Sequence, residues 1–122
     1  MEWEIIIHRE LKYIEFVTKG VADQAGSLSM AKKVAEIMRK NKLTKVIIDH
    51  RKIESVSGNV KDIYERPKLF RLIGVILGLK IAEIINPDHL AHFRFLETVC
   101  VNRGYVFSIF YDRATALKWL LA

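Results

Sequence analysis

The run Lys45-Val-Ile-Ile-Asp-His-Arg51 carries the reading of the fold. Val46, Ile47 and Ile48 are consecutive β-branched residues with nothing polar between them. A strand with one wet face alternates apolar and polar residues, whereas an unbroken run suits a strand covered on both faces, as in a parallel sheet. The run predicts a strand over 45–49. Parallel strands cannot be joined by a tight turn, so helical crossovers are expected on either side.

Upstream, Met30, Val34, Ile37 and Met38 follow the i, i+4, i+7, i+8 spacing of a buried helical stripe. Asp23 or Ser27 can cap this helix, which runs to about Asn41. Trp3, Ile5 and Ile7 alternate with Glu4, Ile6 and His8, and 13–17 is a second β-rich run ended by Gly20, with 9–11 closing a hairpin. Downstream, residues 50–58 read as a loop. Val60, Ile63 and Tyr64 form a short helical face that Pro67 breaks, and 69–76 is apolar and helical. The spacing predicts a strand over 79–85 stopped by Asn86-Pro87. A helix then opens at Asp88 and ends at Gly104, with Leu90, Phe93, Val99 and Cys100 inward. A last strand covers 105–110, and Asp112 caps a final helix carrying Leu117, Leu120 and Leu121. The order ββαβαβαβα predicts an α/β fold: a mostly parallel sheet with an N-terminal hairpin, covered by helices, in one domain over 1–122.

Composition agrees. In 122 residues, 51% are hydrophobic, 28% are charged, and only 6 are Gly and 2 Pro, which excludes disordered and collagenous chains. The single cysteine, Cys100, permits no internal disulfide and reads as a core residue. Met1 is followed by Glu2, Trp3 and Glu4 instead of a signal peptide's basic and apolar regions. The longest uncharged apolar stretch, 72–79, falls far short of the roughly 20 residues of a membrane span. A cytoplasmic protein without a transmembrane segment is expected.

The net charge of +6 is concentrated. Residues 32–52 hold Lys32, Lys33, Arg39, Lys40, Lys42, Lys45, Arg51 and Lys52 against only Glu36 and Asp49, and the rest of the chain balances to zero. No aromatic residue falls between Phe16 and Tyr64 to stack bases beside this patch. Nucleic acid is therefore not the expected partner, and the cations read as a solvated face.

Several segments resemble the STAS superfamily, the anti-sigma-factor-antagonist or SpoIIAA-like fold. They are Val46-Ile-Ile-Asp-His-Arg51, Asp62-Ile-Tyr-Glu-Arg-Pro67, Phe93-Arg-Phe-Leu-Glu-Thr-Val-Cys-Val-Asn-Arg-Gly104 and Phe110-Tyr-Asp-Arg-Ala-Thr-Ala-Leu-Lys-Trp-Leu120. They are similar in particular to a branch of small stand-alone STAS-like proteins discussed together with CRAL-TRIO lipid-binding domains. The resemblance implies a regulatory module that works by binding. In the antagonists, a Ser in an Asp-Ser-Ser-Gly-like loop after the third strand is phosphorylated, which ends partner binding. Aligned through Asp49 and Ile53, that motif's Asp falls on Ser57 and its Ser on Gly58, with Ser55 and Ser57 out of register. A kinase switch at Ser57 is accordingly not expected.

Ligands of open parallel sheets gather at the C-terminal strand ends. The residues expected on that rim are Asp49, His50, Arg51, Ser55, Ser57, Asn86 and His89. His89 and His92 stand i, i+3, but no second Cys and no HExxH pattern supports a metal, and no cofactor or catalytic residue is assigned. The stretch 69–78 is more apolar than one buried face requires. Phe70, Leu72, Ile73, Ile76 and Leu77 are expected to serve as an apolar contact, for a homo-oligomer or a lipid-like ligand. The expected function is a non-enzymatic regulatory or binding module that takes a protein partner or a small ligand. The alternative is a carrier or sensor of an apolar ligand through 69–78.

Overall fold

Strand β3 (Lys45–Val56) lies at the centre of a five-stranded sheet, between parallel neighbours β2 (Tyr13–Ala22) and β4 (Lys80–Ile84). The computed structural model describes residues 1–57, 61, 63–66 and 79–122. Strand β1 (Glu2–His8) pairs antiparallel with β2, and β5 (Val106–Phe110) pairs parallel with β4, so the spatial order is β1-β2-β3-β4-β5. Helices α1 (Gln24–Asn41), α2 (Leu90–Asn102) and α3 (Arg113–Leu120) cover the sheet.

The period of two along each strand sorts the core into two layers. Ile14, Phe16, Val46, Ile48, Ile81 and Phe107 point to one face. There they meet Met30, Val34 and Met38 of α1 and Phe93, Leu96 and Cys100 of α2. Tyr13, Ile47, Ala82 and Ile84 point to the other face and meet Ala116 and Leu120 of α3. Val46, Ile47 and Ile48 are thus all buried, which is what the unbroken run implied. Burying each such side chain contributes about 1.5–3 kcal/mol. On β1, Trp3, Ile5 and Ile7 pack against the first layer while Glu2, Glu4 and Ile6 are exposed.

The ends of the elements follow local chemistry. Asp23 accepts a 2.6 Å hydrogen bond from the Gly26 N–H at the start of α1, and Asp112 accepts a 2.8 Å bond from the Thr115 N–H at the start of α3. Gly104, just past α2, has φ +94°, a conformation open to glycine without strain.

Three expectations are corrected. Residues 50–56 are strand, not loop, because β3 continues alongside β2, burying Ile53. For the same reason Gly20, at φ +91°, does not end β2; the strand continues to Ala22 through two register shifts. Asp88 does not open α2: Asn86 caps a 3-10 turn over Pro87–His89, with its side chain accepting the Asp88 N–H at 2.9 Å, and α2 follows. The expectations at Gly58, Val60, Pro67 and 69–78 lie outside the described residues.

Candidate functional site

The alternation that builds the core divides the expected rim. Asp49 and Arg51 face the α3 side, whereas His50 faces α1 and α2. The three do not converge on one point, since neighbours on an extended chain lie on opposite faces.

On the α3 side, Asp49 and Arg51 form a fork. Arg51 Nε donates to Asp49 Oδ1 at 3.0 Å and Nη2 donates to Oδ2 at 2.7 Å, while the Arg51 backbone N–H donates to Oδ1 at 3.1 Å. Burial of Asp49 disfavours its charge, but these bonds outweigh it and hold the carboxyl below its usual range. Beside the fork stands a second, unforeseen pair. Arg113 grips Glu15 with two 3.0 Å bonds and donates to the Tyr13 hydroxyl at 3.1 Å. His8 reaches Glu15 at 2.8 Å and stacks on Tyr13 with ring centroids 4.2 Å apart. The Arg113 hydrogen bonds lower the Glu15 carboxyl against the opposing effect of burial.

On the opposite face, His50 belongs to a buried polar chain. Thr18 Oγ1 lies 2.6 Å from His50 Nδ1 and 3.2 Å from the Asp49 carbonyl. His50 Nε2 lies 3.3 Å from Glu83 Oε1. With Nε2 protonated, the ring donates to Glu83 Oε1, and Glu83 Oε2 is the oxygen left over. That oxygen is buried and has no hydrogen-bond partner among the described residues. Close by, Arg66 is 1% exposed, with Nη2 donating to the Ser57 carbonyl at 3.4 Å and Nη1 lying 3.5 Å from His92 Nε2. Burial, then the Arg66 charge, pushes His92 down to about 4. Phe93 stacks on His50 at 5.0 Å and meets His92 edge-on at 4.9 Å.

His50, Glu83, Arg66 and His92 share the lining of a cavity of about 60 Å³ between the sheet, α1 and α2. Most of the remaining wall is apolar, including Met30, Val34, Ile48, Phe93, Leu96 and Phe107. The Thr18–His50–Glu83 order has the outline of a nucleophile, base and acid. However, Thr18 is fully buried and does not line this cavity, so its hydroxyl is not presented to the space. Cys100 is buried too, and burial pushes its thiol up, which leaves it inert.

The other expected rim residues are dispersed. Ser55 is exposed on β3 beside Val21. Ser57 is exposed just after β3, its N–H donating to the Ala22 carbonyl at 2.8 Å. Asn86 is occupied as a cap, and His89 precedes α2 with its backbone N–H on the Asn86 carbonyl at 2.9 Å. Phe70, Leu72, Ile73, Ile76 and Leu77 lie outside the described residues. Sequence reasoning passed over Thr18, Arg66 and Glu83. For Glu83 a signal existed, since a carboxylate inside the apolar run Ile81-Ala-Glu-Ile-Ile85 is out of place unless it has a task. Among the described residues no helix is long and apolar enough to cross a membrane, and no three or more His, Cys, Asp or Glu side chains gather as a metal would require.

No protein-family model and no curated protein matches this sequence. Among solved structures, the chain is similar to an uncharacterized DUF3478-family protein with a SpoIIAA-like fold from Shewanella loihica PV-4. The two share 19% identity and a TM-score of 0.60, over 98% of this chain and 92% of that one. It is also similar to the anti-sigma factor antagonist SpoIIAA in its unphosphorylated form, at 11% identity and TM-score 0.53, over 97% and 96% of the two chains. The phosphorylated SpoIIAA, a Bacillus cell fate determinant, matches at 11% identity and TM-score 0.50, over 97% and 98%. The sheet order, the N-terminal hairpin and these likenesses together show a SpoIIAA-like α/β fold.

Proposed function

We propose that the protein is a non-enzymatic binding module that takes a small, largely apolar ligand between its sheet and helices α1 and α2. The observation that carries this reading is the cavity, in which apolar walls converge on buried His50, Arg66 and Glu83 and on half-buried His92. Apolar lining with a few placed polar groups is the usual make-up of a ligand site. Its volume of about 60 Å³ suits a ligand of a few heavy atoms. The Thr18 hydroxyl and the Cys100 thiol are both buried outside the lining of that space and are not presented to it. A regulatory output through a protein partner is proposed from the fold shared with an anti-sigma factor antagonist.

Xenon and 1-butanol are the probes that test it. Both are expected to shift the amide and methyl resonances of Met30, Val34, Phe93 and Leu96 in a saturable way. Ala31→Leu, which fills the space from α1, is expected to abolish the shifts while the fold persists. Absence of any shift at these residues in the unaltered protein overturns the reading.

A further inference from the structure

The polar end of the cavity specifies what kind of ligand head it accepts. Glu83 is 4% exposed and lines the cavity from β4. Its Oε1 is engaged by His50, whereas its buried Oε2 has no hydrogen-bond partner among the described residues. A buried carboxylate oxygen is costly to leave unpaired, so the site calls for a hydrogen-bond donor.

Charge narrows the donor further. The Arg66 guanidinium lines the same cavity and is buried, and both its charge and that of Glu83 are felt at His92 and at Cys100. A ligand ammonium would meet Arg66 as a like charge in a poorly screened space, and a ligand carboxylate would meet Glu83 in the same way. A neutral hydroxyl meets neither penalty and still supplies the hydrogen. Met30, Val34, Ile48 and Leu96 then leave room only for a short hydrocarbon body.

We infer that the cavity selects a neutral, hydroxyl-bearing ligand with a short hydrocarbon body, its O–H donated to Glu83 Oε2. This rests on the binding reading above and goes beyond it in naming the head group. The test compares 1-butanol with methyl propyl ether, isomers that differ in possessing the O–H, and with butylamine and butanoate. Each is titrated into the isotopically labelled protein and followed at cavity resonances. Binding of 1-butanol is expected to be about tenfold tighter than that of the ether, the loss that follows from one unpaired buried acceptor. The amine and butanoate are expected to bind more weakly than the alcohol. In Glu83→Leu the alcohol and ether are expected to converge, and the comparison in the unaltered protein stands even if that variant does not fold.

Equal affinity for alcohol and ether overturns the inference, including the case in which an ordered water already satisfies Oε2, and leaves the binding reading intact. Tighter binding of the amine or of butanoate overturns the neutral head. Failure of every probe, xenon included, removes the binding reading itself.

Discussion

At Asp49 two effects oppose each other, and the Arg51 fork wins over burial. Arg51 is half-exposed, with 46% of its side chain accessible, so water can replace its guanidinium while residue 51 keeps its backbone bond to Oδ1. Arg51→Ala is therefore expected to cost no more than about 1 kcal/mol in urea unfolding. A loss of several kcal/mol would mean that the pair is a buried bridge. Glu15, at 6% exposure, is held by a similar two-pronged grip, but Arg113→Ala also removes the bond to the Tyr13 hydroxyl and is expected to cost more, on the order of 1–3 kcal/mol. Both carboxyls are lowered from ordinary values of 3.8 and 4.5. Their contribution is thus complete above those values and lost as pH falls through the lowered ones. The acid limb of a stability curve is expected to flatten in Arg113→Ala, and an unchanged limb would contradict the assignment. His92 has the same sign by a different cause. It stays neutral in the fold to about 4 and gains its proton near 6.5 when unfolded, so its contribution is complete above about 6.5 and declines toward 4. An NMR titration of the His92 ring is expected to show a midpoint near 4. A midpoint near 6.5 would place the ring in water.

Caps and strand length set the behaviour of the elements. Asp23 and Asp112 each accept a backbone N–H in the first turn of a helix; Asp23→Ala is expected to cost about 1 kcal/mol, and Asp112→Ala to lower stability in the same direction. Thermal unfolding measures this, and a variant as stable as the parent would show the cap to be replaceable by water. The long β3 places Ser57 just past the sheet, exposed, with its backbone N–H and carbonyl both hydrogen-bonded. Ser57→Asp is therefore expected to leave the fold intact and partner binding unchanged, since the phosphorylated position of the antagonist motif falls on Gly58. Detection of phosphate on Ser57 in the native protein would overturn this expectation.

At the scale of the whole molecule, the apolar excess of 69–78 leads to the proposal that the protein self-associates. Sedimentation at about 100 µM is expected to show an oligomer, and a monomer at that concentration would exclude even a micromolar association.

Much of the fold was legible in sequence because it rests on short-range regularities. The unbroken Val46-Ile-Ile48 run, the alternation of Trp3, Ile5 and Ile7, and the Met30, Val34 and Met38 stripe each express the period of one element against one neighbour. Asp23, Asp112 and Gly104 act on backbone groups within a few residues. The period of two also carried a fact that the rim expectation overlooked: His50 lies on the opposite face from Asp49 and Arg51. Other features came only from tertiary structure. Residues 50–56 became strand because β2 lies beside them, and Thr18 reached His50 across 32 residues, His50 reached Glu83 across 33, and Arg113 reached Glu15 across 98. Residue type sets what each group can bond to. Which partner it meets depends on how the crossovers order the strands, because hydrogen bonds and ion pairs act over a few ångströms in space, whatever the separation along the chain.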